Sequence, residues 1–179
     1  MRRIAFVFAF LFSVAAIAAG RAGSATSKST FEVFVEPTIS AASNGLTIET
    51  ELEGSFNVAN KAANGSGTYS VMNGATVLEN GTFTLTRLAA FQFYGCGEVT
   101  TPDGPISLPP AFCGGRVIFA VHATSSTGEQ ADGLYEVNCQ IHDPGGQAPP
   151  WTSEGVKVNA RGINFSKHVT GDNLFVMQP

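Results

Sequence analysis

Leu46-Thr-Ile-Glu-Thr-Glu-Leu-Glu53 alternates without a break: Leu46, Ile48, Thr50 and Leu52 share one parity, and Thr47, Glu49, Glu51 and Glu53 share the other. Successive side chains of an extended chain point to opposite faces, so the stretch reads as a strand with one face in a core and one in water. The outer parity then carries three carboxylates on a solvated exterior, where like charges discourage edge pairing. Phe83 and Leu85 alternate with Thr82, Thr84 and Thr86 in the same way. β-Branched threonines suit the outer face of a pleated sheet.

Turn chemistry extends the reading outward. Asn-Gly occurs at 44–45, 64–65, 73–74 and 80–81, and Asn-Gly is the strongest two-residue hairpin signal because both positions take positive φ. The copies at 73–74 and 80–81 divide Thr68 to Met72, Ala75 to Glu79 and Thr82 to Leu88 into three consecutive strands of a meander. Further strands are expected at Phe31 to Glu36, Phe91 to Tyr94, Arg116 to Ala123, Gly133 to His142 and Val156 to Asn159. A last pair, Ile163 to His168 and Leu174 to Gln178, is joined through Thr170-Gly-Asp-Asn173, and a short helix is placed at Arg87 to Ala90. Nine or ten short strands at this spacing predict one all-β domain, an antiparallel β-sandwich or flattened barrel. Its core should hold Leu46, Ile48, Leu52, Phe83, Leu85, Val117, Phe119, Val121, Tyr135, Val137 and Ile141.

The N-terminus reads as a secretory signal over residues 1–19, with cleavage as late as residue 25. Arg2 and Arg3 precede the apolar run Ile4 to Ala19, and small residues follow. A run of that length falls short of a membrane span. The domain then occupies residues 26–179, the mature chain is secreted and extracellular, and its formal charge moves from −4 to −6, or −7 without Arg21. A weakly acidic surface argues against nucleic acid and anionic membranes as partners.

Three cysteines remain in that domain, Cys96, Cys113 and Cys139. An odd number leaves one unpaired within the monomer or bonded to another chain. Cys96 and Cys113 bracket a Gly/Pro-rich loop and are the preferred bridge, with Cys96–Cys139 next. Cys139 shares parity with Tyr135, Val137 and Ile141, which favours a buried thiol. Asn64-Gly-Ser, Asn80-Gly-Thr and Asn164-Phe-Ser match the N-glycosylation acceptor pattern, with Asn64 the best candidate.

No catalytic motif stands out: there is no Gly-x-Ser-x-Gly, no His-Glu-x-x-His, no Cys-x-x-Cys and no phosphate-cradling loop. Asp103, Asp132 and Asp172 sit beside glycine and Asp143 beside Pro144, which is turn chemistry. His122, His142 and Cys139 lack ligand spacing, so no metal and no cofactor is expected. A hydrolase would draw on Glu49 or Asp143, and would need a second carboxylate across a cleft. Two long irregular stretches, Gly95 to Gly115 and Asp143 to Glu154, interrupt the strands, and loops of that length tend to carry function. Trp151, stiffened by Pro149 and Pro150 in the second of them, is the candidate contact for a partner protein or a cell-wall glycan.

Asn73-Gly-Ala-Thr-Val-Leu-Glu-Asn-Gly-Thr-Phe-Thr-Leu85 and Gly133-Leu-Tyr-Glu-Val-Asn-Cys-Gln-Ile-His-Asp-Pro144, together with the Phe-rich leader, resemble small secreted proteins of basidiomycete fungi. Among these the chain is similar to the small subunit of heterodimeric fungal laccases. The resemblance implies a non-catalytic accessory role, in which a larger multicopper oxidase carries the chemistry and the small glycosylated chain stabilises it. It carries no site residue across. With three histidines the chain cannot itself hold the copper set of such an oxidase. A lectin-like module using Trp151 and a small secreted hydrolase are the alternative readings.

Overall fold

Asn44-Gly45 turns the chain between the first two strands, β1 (Thr30–Ala42) and β2 (Thr47–Asn57). Gly45 takes φ +88°, and Asn44 Oδ1 accepts the Leu46 N–H at 3.2 Å. The computed structural model describes residues 29–101, 104–142 and 154–179. The expected signal segment, Trp151 and Asp143 lie outside these residues. β3 (Ala63–Asn73) pairs with β2 along its whole length, and Gly74 (φ +59°) turns it into β4 (Thr76–Cys96). A small ribbon, β5 (Val99–Thr101) with β6 (Gly104–Ile106), precedes β7 (Phe112–Ser125), which returns along β4. β8 (Gln130–Cys139), β9 (Gly155–Ala160), β10 (Ile163–Thr170) and β11 (Asn173–Met177) complete the chain, and no helix occurs among the described residues.

Two of the four Asn-Gly pairs are not turns. Asn64-Gly65 lies inside β3 and Asn80-Gly81 inside β4, so the three-strand meander becomes one hairpin whose second strand runs unbroken for 21 residues. The expected helix at Arg87 to Ala90 is part of that same strand. These glycines serve close approach between strands: a Cβ on Gly81 would stand 2.2 Å from the Thr124 carbonyl oxygen, and one on Gly65 2.5 Å from Gly54 Cα. Three register shifts along β4–β7, at Leu85/Arg87, Leu88/Ala90 and Phe93/Gly95, coil the long strand, as bulges do.

Nine strands form a single antiparallel, ring-like sheet, and its pairings close in two different ways. Toward one end the circuit runs β1–β2–β3–β4–β7–β8–β9–β10 and back to β1. Toward the other, β11 alone bridges β1 and β7, through Val33↔Phe175 and Phe175↔Cys113. β10 and β11, expected as a pair, therefore lie in succession along β1 rather than against each other. The handover occurs where Glu36-Pro37 breaks the β1 register between Val35 and Thr38. Pro37 has no N–H to give a ladder, so a break is where it fits. Gly171 (φ +103°) lets the chain cross there, because a Cβ would stand 2.4 Å from Thr38 Oγ1.

The inward parity read from Leu46 to Glu53 holds. Ile48, Leu52, Phe83, Leu85, Val117, Phe119, Val121, Tyr135 and Val137 are buried, while Leu46 and Ile141 are only partly so, at the ends of their strands. The narrow end is filled with rings. Phe56 lies 5.2 Å from Phe31, 4.9 Å from Phe91, 5.5 Å from Phe119 and 6.1 Å from Phe175, mostly edge to face.

Candidate functional site

The wide end is built differently. Its inward positions on β7, β8 and β9 carry small residues, Ala123, Ala131, Gly133 and Ala160, where the narrow end carries phenylalanines. Eight strands closed on themselves enclose an interior just wide enough for side chains or one small ligand. With side chains this small, a cavity of about 110 Å³ remains, walled by Ile48, Val71, Phe83, Val158 and Phe165 among others. Three hydroxyls line it, that of Tyr69 and a buried pair. Thr50 and Tyr135, 2% and 1% exposed, lie 2.9 Å apart. Tyr135 is wedged by Phe83, ring centroids 5.0 Å apart. Burial pushes its phenol far above the ordinary range, so it keeps its proton.

A polar strap crosses the mouth. Arg161 and Gly162 form the two-residue turn from β9 to β10, with φ of +50° and +77°. Glycine accepts that conformation freely and arginine does not. Arg161 Nη1 reaches Glu129 Oε2 at 3.0 Å and Glu79 Oε2 at 3.3 Å. Glu79 Oε1 in turn accepts the Tyr69 hydroxyl at 2.6 Å. Burial, joined by the hydrogen bond and charge of Glu79, raises the Tyr69 phenol to about 12.

Outside the ring, the outward parity of β1, β2 and β3 forms a second feature. An open trough of about 880 Å³ has Phe34 and Leu174 in its lining and Glu36, Glu51, Glu53 and Asp172 around them. Phe34 and Leu174 are cross-strand neighbours, and Phe34 also faces Glu53. The Glu51 and Glu53 side chains are exposed, as their parity predicts, and Glu49 lies partly buried on the same strand.

A third polar group marks the seam where β11 takes over from β8, β9 and β10. Glu154 accepts the Gln140 N–H and the Asn173 amide, the latter at 3.0 Å, and Asn173 also donates to the Asn138 carbonyl. Fully buried Asn138 takes the Tyr94 hydroxyl at 2.9 Å. Burial raises Glu154 to about 7 against the lowering effect of its two donors, with the Asp172 charge adding to the rise.

Cys96 and Cys113 are bridged, across directly paired positions of β4 and β7, and Cys139 is a buried free thiol. Burial, with the nearby Glu154 charge, lifts that thiol to about 12, so it behaves as a small hydrophobe. The structure separates the two histidines weighed as metal ligands. His122 pairs with Asp132 at 2.8 Å near the β7–β8 turn, while His142 meets the Gly97 carbonyl at the opposite end of β8. Among the described residues no three His, Cys, Asp or Glu gather into a metal set. Asn64, Asn80 and Asn164 all expose their side chains, each from within a strand rather than a loop.

Two features escaped the sequence reading. Thr50 on an otherwise aliphatic inward face signalled a buried hydroxyl, and Arg161-Gly162 between two short strands signalled a turn. No family model matches the chain, and neither does any curated protein or solved structure.

Proposed function

We propose that this chain is a non-catalytic secreted accessory protein that binds and stabilises a larger secreted protein, most specifically a laccase-type oxidase. The outer trough carries the reading. Phe34 and Leu174 turn an apolar pair outward from a sheet whose other face is already buried, and carboxylates surround the pair. An apolar centre with a charged rim is the anatomy of a protein interface. The carboxylates would favour a partner with basic residues around an apolar projection, and would speed its approach at low salt. A disulfide within the chain is compatible with folding in an oxidising compartment.

Size-exclusion chromatography of native culture fluid with mass spectrometry of the fractions tests this. Co-elution with a larger oxidase is expected, and Phe34→Ala or Glu53→Lys should shift the chain to its monomer volume. Elution as a monomer alone, with no larger protein, overturns the reading.

A further inference from the structure

We propose that the wide end of the ring binds a small, flat, mostly apolar carbonyl compound of acetophenone size, oxygen inward. The site is independent of the outer trough. The first argument is volume. The cavity of about 110 Å³ is smaller than an apolar cavity that accepts a whole benzene ring (roughly 150 Å³), so the carbonyl end is seated within it and the ring lies toward the mouth. Its walls are mostly aliphatic and aromatic, and the charged residues in the lining are Glu79 and Arg161, which pair with each other.

Hydrogen-bond arithmetic gives the second argument. Thr50 and Tyr135 bring two hydroxyl protons, and the contact between them uses one. Among the described residues no second hydrogen bond is found for either hydroxyl, and both side chains are almost wholly buried. A buried donor without an acceptor is costly. A carbonyl oxygen entering along the cavity supplies an acceptor and brings no donor of its own. A hydrocarbon of the same shape does not.

The third argument is the strap. Arginine in the left-handed region is an outlier that persists only where its surroundings hold it, and such outliers cluster at ligand clamps. Arg161 is held by Glu79 and Glu129 through partly exposed ion pairs. Exposed pairs of this kind are weak, so the mouth can open without disturbing the ring. Arg161 lines the cavity beside Tyr69 and Ala160, so its release would widen the entrance there.

Isothermal titration of the secreted protein with acetophenone, and with ethylbenzene as a shape match lacking the acceptor, tests the proposal. Acetophenone should bind with a Kd on the order of 10–100 μM, within the range open to a ligand of this size. Ethylbenzene should bind roughly 3- to 10-fold more weakly, as expected for one hydrogen bond. The double variant Thr50→Val/Tyr135→Phe keeps the shape and should equalise the two. Ala131→Leu, or the milder Ala123→Val should the first not fold, fills the cavity and should abolish both. No binding of acetophenone at about 1 mM, equal affinities in the unaltered protein, a preference that survives in the double variant, or binding retained by a folded cavity-filled variant would each overturn it.

Discussion

The two ends of the ring are made from the same strands and solve opposite problems. At the narrow end one strand, β11, spans from β1 to β7, and six phenylalanines, among them Phe31, Phe56, Phe119 and Phe175, fill what it encloses. At the wide end three strands, β8, β9 and β10, make the same journey, and beside Tyr135, Ile163 and Phe165 their inward positions include the small residues Ala131, Gly133 and Ala160. More strands mean a larger circumference, and smaller side chains within it leave space unfilled. Aromatic rings fill the interior where the circuit is short, and a cavity survives where it is long. A cavity does not need a loop or a lid; a change in strand number along one sheet suffices.

The sharpest way to break this contrast is to exchange the packing. Phe56→Ala removes the ring at the centre of the aromatic cluster and should destabilise by about 3–5 kcal/mol. Ala131→Val at the wide end adds volume where room exists and should change stability by less than about 0.5 kcal/mol. Chemical denaturation measures both. A comparable loss from the two substitutions would show that the wide end is packed as tightly as the narrow one.

The disulfide belongs to the narrow end and comes next in size. Cys96–Cys113 closes a loop of sequence separation 17 beside the β7–β11 contact. Replacing both cysteines by serine should lower stability by about 3 kcal/mol, chiefly by freeing the unfolded chain. Cavity binding should be unaffected, because Phe119 and Val117 stand between the bridge and Tyr135 on the sheet. Loss of acetophenone binding in a folded Cys96→Ser/Cys113→Ser variant would mean that the two ends are coupled.

How much of this the sequence could reveal follows the same division. Period-two alternation reports which face a residue takes, so Ile48, Phe83, Val117 and Tyr135 were placed inward correctly. Alternation says nothing of how many strands share the circuit, and the cavity depends on that number. The Asn-Gly pairs at 64–65 and 80–81 misled for a related reason: a glycine needed for a hairpin and one needed for close strand approach look alike in one dimension. The Cys96–Cys113 bridge was legible because its ends lie close along the chain. The trough was legible in half. Glu51 and Glu53 were read as an outer face, but Phe34 and Leu174 come from opposite ends of the sequence and meet only through the β1–β11 register.

The smallest effect expected lies at the seam between the two ends, and it depends on pH. Glu154 is buried beside Asn173 and Gln140, faces the Asp172 charge and the Cys139 thiol, and is raised from its ordinary 4.5 to about 7. Its protonated form is therefore favoured by folding. The stabilisation is complete below about 4.5 and is lost as pH rises through 7. Glu136 acts in the opposite sense. Burial would raise it, but hydrogen bonds and charge from Arg116 and Lys157 prevail and hold it below the usual range, so its contribution is lost only in acid. The melting temperature should thus fall by a few degrees between pH 5 and pH 8. Glu154→Gln, which resembles the protonated acid in shape, should flatten that limb and leave the acid limb set by Glu136 in place. Thermal melts of both proteins across the range decide the matter, since parallel curves between pH 5 and pH 8 would show that Glu154 releases its proton without consequence for the seam.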